Sequence, residues 1–324
     1  MLNYIFRKIL RLLSLLFAVS LLCFALMQAA PYDVVDALAS PDKPREVYAQ
    51  LREEYGLNDT PPAQYLRWMG SILKGDLGNS LLNRSSIRDD LAARLPATLM
   101  LMVPAYLIAL VLSLVLGLCA AARRNGRLDR MIDGLCSVGI ATPSFWLGLI
   151  LIYLLGYRLK LVPLAGMHSV GAENSFPDFL KHLFTPCSVM TLGFLPDLTR
   201  YVRANAIRQL NEDYCAMQRA FGAGRGTLLF RHVLPNILVP VVTKVGMSLP
   251  SLMTGSVAVE TLFGWPGIGP YFMKAVQNID YPVVLVLLML SSCVVILGNM
   301  LADLACCLID RRIPTGILSK EGAS

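Results

Sequence analysis

Charged residues punctuate this chain so sparsely that the stretches between them have the length of membrane-spanning helices. Residues 12–32, 95–122, 134–157 and 281–302 carry no charge, and 233–259 is interrupted only by Lys244. A helix needs about 20 mainly apolar residues to cross a hydrocarbon core. A sixth block, 183–196, is too short by itself and reaches spanning length only by running on through Asp197 to about Val202. The pattern predicts an all-α polytopic membrane protein with six transmembrane helices.

The segments between the blocks differ in kind. Residues 31–94 hold ten acidic and eight basic residues. Within them, 44–57 reads as helical and 64–73 as amphipathic, with Gly56, Pro61, Pro62, Gly75 and Gly78 as breaks, which predicts a small subdomain outside the membrane. Residues 204–232 are long and amphipathic, suited to one or two short helices along a membrane surface. Residues 261–280 contain FGWPGIGPYF, whose Gly, Pro and aromatic residues break a spanning helix and favour a re-entrant or capping structure lining a cavity.

Composition agrees with this picture: 55% of the 324 residues are hydrophobic, 16% are charged, and the mean hydropathy is +0.57. These values exclude a water-soluble enzyme and a disordered chain. The net charge of +7 sits in arginine-rich clusters at the ends of apolar blocks, a poor pattern for nucleic-acid binding. Arg7, Lys8 and Arg11; Arg123, Arg124, Arg127 and Arg130; Arg203, Arg208, Arg219, Arg225 and Arg231; and Arg311, Arg312 and Lys320 fall before block one and after blocks two, four and six. The excess of Lys and Arg in inner loops assigns all four groups to the cytoplasm, with both termini inside. Block one is too long and too bulky for a cleavable signal and reads as a retained anchor. The eight cysteines lie mostly in apolar stretches and read as small reduced residues in the core or the lipid phase.

No catalytic constellation accompanies the spans. A GxxxxGK[ST] phosphate loop, an HExxH zinc site, a GxSxG nucleophile elbow and a CxxC pair are all missing, and the three histidines are scattered. Ionisable residues inside spans are the remaining flags, because each is costly unless paired or wetted. Asp133 and Asp303 lie near block ends, where water or an arginine is within reach. Lys244 and Glu260 are sixteen residues apart, roughly 24 Å along a helix, so they cannot pair within it. Asp197 with Lys244 is a candidate pair between spans, either as a clamp or lining a hydrophilic pathway. Glu260, just before the TLFGWPGIGP stretch, either orders that loop through backbone N–H groups or faces the pathway.

A soluble motor that drives a membrane protein needs a handle, and a short helix laid into a groove supplies one. The stretch 211–221, NEDYCAMQRAF, has an acidic start and a helix-compatible body; Gly222 would stop it, and His232, Leu234 and Pro235 lead back into the bilayer. A merely solvated loop is the alternative.

Gly222 followed after nine residues by His232-x-Leu234-Pro235 resembles the EAA loop of permease subunits of bacterial binding-protein-dependent ABC importers, which ends G-x9-I-x-L-P. The likeness extends over about 1–312 and is greatest to the dipeptide, oligopeptide, nickel and opine branch. It is carried by Ala29-Ala30-Pro31, LREEYGL at 51–57, Gln64-Tyr65-Leu66, Gly75-Asp76-Leu77-Gly78, Arg94-Leu95-Pro96-Ala97-Thr98, PSFWLG at 143–148, ETLFGWPGIG at 260–269 and Asp280-Tyr281-Pro282. Departures lie at Ala216-Met217-Gln218, where the loop's acidic-Ala-Ala start falls in the family, at Gln218-Arg219-Ala220-Phe221-Gly222 for the usual Ala-Arg-Ala-x-Gly, and at Asp310-Arg311-Arg312 for Asp-Pro-Arg.

The resemblance implies a type I ABC importer transmembrane domain. Residues 1–95 would form an N-terminal helix plus extracytoplasmic segment, 96–312 the core permease domain with its coupling loop at about 204–235, and 313–324 a cytoplasmic tail. It implies a non-catalytic half-channel in the bacterial inner membrane. Its partners would be a second homologous permease subunit, two cytoplasmic ATP-binding subunits that use ATP and Mg, and an extracytoplasmic substrate-binding protein; this chain itself would bind no cofactor or metal. Asn211, Glu212, Asp213, Tyr214, Arg219, Ala220, Phe221, Gly222, His232, Leu234 and Pro235 would couple to the ATPase. Asp197, Lys244, Glu260, Phe263, Trp265 and Pro266 are the candidates for pathway or gate. Peptides are the leading substrate class, with nickel or a metal chelate, an opine or glutathione as others. Two other classes are an intramembrane enzyme, disfavoured because no two carboxylates share a helix face at useful spacing, and a non-transporting sensor or scaffold subunit.

Overall fold

The computed structural model describes residues 2–29, 53 and 58–309. The expected helix at 44–57 and the cytoplasmic tail lie outside them. The described residues form helices without strands: α1 (Leu2–Gln28), α2 (Pro61–Leu73), α3 (Ile87–Ala122), α4 (Arg127–Ala141), α5 (Ser144–Leu151) with a π-helical continuation Ile152–Arg158, α6 (Phe176–Leu210), α7 (Asp213–Ala220), α8 (Leu234–Leu262), α9 (Ile268–Gln277) and α10 (Tyr281–Ile309). Chain contacts divide them into two units, one made of residues 1–96 and 270–296, the other of 97–269 and 297–324.

Among the described residues, three segments are long and apolar enough to cross a membrane: Ile87–Ala122, Arg225–Ser248 and Tyr281–Gly298. The uncharged block at 134–157, expected as one span, is instead broken: Arg127–Ala141 and Ser144–Arg158 meet at 97°. Pro143 explains the break, since proline lacks the N–H that would continue α4 and disfavours helical geometry at Thr142 before it. Thr142 is accordingly extended, with φ −92° and ψ 118°. The described apolar part of α1 is Leu13–Leu26.

In the first unit, α2 buries one side chain, Tyr65, as an amphipathic surface helix does. Tyr65 meets the rings of Phe17 and Phe24 edge-on at centroid distances of 6.3 and 5.4 Å, and its hydroxyl shares a 2.7 Å hydrogen bond with Ser20 of α1. Asp280 secures the turn before α3: its Oδ2 accepts from Ser80 Oγ at 2.5 Å and its Oδ1 from the Leu81 N–H at 3.1 Å.

In the second unit, α6 is the central helix, packed on α4, α5 and α8. Ser175 caps it by accepting from the Asp178 N–H, and Asp178 in the first turn suits the positive end of the helix dipole. Two close approaches fix its neighbours. A Cβ at Gly117 of α3 would lie 2.6 Å from Val202 Cγ1, and one at Gly139 of α4 would lie 2.5 Å from Pro196 Cγ, so each glycine lets a helix sit against α6. One core layer gathers Leu101, Ala105, Val189, Met190, Val259, Phe263 and Trp265; another gathers Leu118, Val202, Ala206, Cys215, Leu228, Val233 and Ile237.

Candidate functional site

The coupling candidates occupy one continuous stretch of the second unit. Helix α6 runs past the apolar block to Leu210, Asn211 turns the chain, and α7 follows with Glu212 as its extended N-cap residue. Cys215 is fully buried and ties α7 to the core layer around Val202 and Val233. Tyr214 is half-buried; its hydroxyl donates to Gln209 Oε1 at 2.8 Å and accepts from Asn236 Nδ2 at 3.2 Å. Burial, with Cys215 beside it, pushes the Tyr214 hydroxyl up to about 12, so it stays neutral. Arg219 donates to the Leu210 carbonyl at 3.0 Å, linking the ends of α6 and α7.

Gly222 ends α7 with φ +82°, a left-handed conformation that glycine adopts without a Cβ clash. After it come a turn at Arg225–Thr227 and a π-helical stretch, Leu228–Val233, that carries His232; Leu234 and Pro235 open α8. Proline fits there because the first helical N–H groups have no partner within the helix. Asp213, Ala220 and Phe221 face outward, Phe221 at 81% exposure. One side of the loop is therefore anchored and the other presents apolar surface.

The pathway candidates fall into two sets. Lys244 Nζ of α8 lies 2.8 Å from Asp197 Oδ2 of α6, so the expected pair between helices forms. Lys244 also stands 5.7 Å over the Tyr201 ring, and Tyr201 donates to the Pro240 carbonyl at 3.1 Å. Glu260 belongs to the second set, fully buried with Phe263 and Trp265, while Pro266 is exposed. Its Oε2 accepts from the Gly269 N–H at 2.7 Å, the loop-ordering role considered for it. Trp265 Nε1 donates to the Ala97 carbonyl at 2.7 Å, and the Ile268 N–H donates to Thr98 Oγ1 at 2.8 Å. The 260–269 loop is thus a packed plug held by α3 and the end of α8.

Asp133 meets Arg200 at 3.2 Å, the arginine expected within its reach. The side chain of Asp303 lies outside the described residues.

Sequence reasoning missed a stronger pair. Arg203 of α6 grips Asp129 at the start of α4 through two bonds of 2.5 and 2.7 Å, and the Asn125 N–H adds a third at 2.8 Å. The Asp129 side chain is 3% exposed. The Arg203 bonds hold its carboxyl below the usual range, against the opposing effect of burial. The partners stand 74 residues apart and outside the apolar blocks, so no local pattern joins them. Among the described residues, no group of three or more His, Cys, Asp or Glu side chains is arranged to hold a metal ion.

The chain matches the family described as binding-protein-dependent transport system inner membrane component over residues 113–314, and the N-terminal component of the same system over 1–102. It is 37% identical over 311 residues to the oligopeptide transport system permease protein AppB of Bacillus subtilis, covering 96% of this chain and 98% of that one. It is 32% identical over 332 residues to the di/tripeptide transport system permease protein DppB of Pseudomonas aeruginosa, and 31% over 339 to the dipeptide transport system permease protein DppB of Escherichia coli, each alignment covering 97% of this chain and 99% of the relative. Membership implies an ATPase and a binding protein as partners. The chain therefore belongs to the binding-protein-dependent transport family, as a non-catalytic, multi-pass permease subunit of an ABC importer in the inner membrane.

Proposed function

We propose that this permease carries peptides, as half of a pathway completed by a second homologous permease subunit. Two cytoplasmic ATPase subunits using ATP and Mg drive it, and an extracytoplasmic binding protein feeds it. The substrate class rests on the peptide transport named for its relatives in three bacteria. The chain crosses the membrane six times with both termini in the cytoplasm; the arginine groups at the block ends carry that orientation. Residues 1–95 form the first span and an extracytoplasmic segment, 96–312 the core permease domain, and 313–324 the tail.

The observation that carries the mechanism is the anchoring of α7. Tyr214, Cys215 and Arg219 bind it to α6 and α8 while Met217 and Phe221 stay exposed at 56% and 81%. A helix held in this way moves with α6 and α8 as a lever. Asn211, Glu212, Asp213, Ala220 and Gly222 shape the handle, and His232, Leu234 and Pro235 pass its motion into α8. Asp197 and Lys244 line the route, and Glu260, Phe263, Trp265 and Pro266 form the gate behind which substrate is held. ATP-driven closure of the motor then alternates the cavity between its two faces.

The test is uptake in proteoliposomes containing this chain, its co-purifying subunits, binding protein and ATP, with labelled di- and oligopeptides set against chelated nickel. ATP-dependent accumulation of peptide is expected. Accumulation of the chelate alone would overturn the substrate class, and purification without an ATPase would overturn the coupling role of α7.

A further inference from the structure

Beside the loop, and partly lined by it, the second unit forms a half-open cavity of about 610 Å³ between the last turns of α3 and α6 and the turn that leads into α8. Four arginines line it: Arg123 and Arg124 from the end of α3, Arg219 from α7, and Arg225 from the turn after Gly224. No carboxylate lies among the described lining residues. Asp129, three residues after Gly126 of the lining, has both oxygens engaged by Arg203, and Glu212 and Asp213, which follow Asn211 of the lining, are exposed. Four like charges lining one space repel one another, and an anion placed there relieves that repulsion.

The floor of the cavity is apolar. Ala122 and Leu210 come from the last turns of two helices, and Leu228 and Leu229 from the π-helical stretch; the two leucines are buried. The end of α3 passes there from an apolar block into a polar segment, and the π-helical stretch leads into the block that begins at residue 233, which is the depth of lipid headgroups. An arginine rim over an apolar floor at that depth has the chemistry of a phosphate headgroup with its acyl chain lying beneath.

We propose that this cavity binds the phosphate headgroup of an anionic phospholipid and so ties the loop that carries α7 to the membrane surface. Arg124 after α3 and Arg225 in the turn after Gly224 would hold the phosphate from separate stretches of the chain, while Arg219 remains on the Leu210 carbonyl. The ligand chemistry is a phosphate ester bearing net negative charge. Zwitterionic phosphatidylcholine, whose phosphate is masked by choline, is held less well.

The test uses the assembled importer in nanodiscs of phosphatidylcholine with a minority of phosphatidylglycerol, followed by detergent extraction and native mass spectrometry of retained lipid. The wild type is expected to retain phosphatidylglycerol in preference to phosphatidylcholine, and R124Q/R225Q to lose that retention by about ten-fold. R124K/R225K, which keeps the charge, should restore most of it, whereas R67Q on α2, remote in sequence from the cavity, should leave it unchanged. Equal retention in wild type and R124Q/R225Q would overturn the proposal. So would displacement of the lipid by millimolar inorganic phosphate, which would make the ligand a soluble anion. Loss of the ATPase subunit from R124Q/R225Q with lipid retention intact would also overturn it, because the arginines would then meet an acidic protein surface.

Discussion

Lys244 Nζ and Asp197 Oδ2 stand 2.8 Å apart across two packed helices, yet the carboxylate keeps 64% of its side-chain surface open. An ionised group on a spanning helix is stable only where water or a partner reaches it, and Lys244 is that partner for Asp197. A solvent-open pair contributes little to stability.

D197N and K244M, each leaving one charge without its partner, should lower transport about ten-fold while shifting the melting temperature by about 2 °C or less. Uptake assays and thermal unfolding of the same preparations separate the two effects. Large losses of stability in both single variants, recovered in the double variant, would make the pair a structural clamp.

The buried end of α8 behaves differently. Removing the Glu260 carboxylate leaves the Gly269 N–H buried without an acceptor, so E260A should destabilise the chain by about 1–3 kcal/mol. G269A should be comparably harmful, since its Cβ would lie 2.7 Å from Val257 Cα, a backbone atom that cannot swing aside. Both are checked by thermal unfolding of the purified chain, and native-like unfolding of G269A would show that the plug is loosely packed.

Asp129 makes a prediction about pH. Its carboxyl titrates below the usual value in the folded chain, so the pair with Arg203 contributes fully above the ordinary carboxylate range and is lost as pH falls through the depressed value. D129N should therefore cost about 2 kcal/mol at neutral pH, and the gap between wild type and variant should stay constant down to about pH 5 and close in stronger acid. A gap that closes already between pH 6 and 7 would contradict the assignment.

On the handle, F221A removes an exposed ring and should leave the melting temperature unchanged while weakening retention of the ATPase subunits on the column. G222V forces a branched side chain into a φ of +82° and should disorder the end of α7 at a cost of about 1–2 kcal/mol. Loss of transport in G222V with normal retention and coupling in F221A would move the contact away from the tip of the loop.

Much of this was legible in the residues. Apolar blocks give helix positions because the bilayer punishes charge uniformly, and the acidic start before 213–220 with Gly222 after it gives α7 because caps act locally. Lys244 and Asp197 were legible as a candidate pair, a cation and an acid on two different spans. What the pattern hid was set by contacts distant in sequence. Arg203 finds Asp129 only once α4 lies against α6, and the arginines of the cavity come from three separate stretches. The break at Thr142–Pro143 was hidden for a different reason: a proline in an uncharged run is equally compatible with a gentle kink and a right angle, and the packing of α4 and α5 on α6 decides between them.

That right angle changes how the third apolar block transmits motion. A straight rod rolled about its own axis displaces nothing at its far end. Joined at 97°, the arm Ser144–Arg158 acts as a crank on α4: its 15 residues reach about 20 Å, so a roll of about 10° sweeps the tip through about 3–4 Å. Gly139 of α4 lies against Pro196 of α6, the contact through which a turn of α6 would reach that arm.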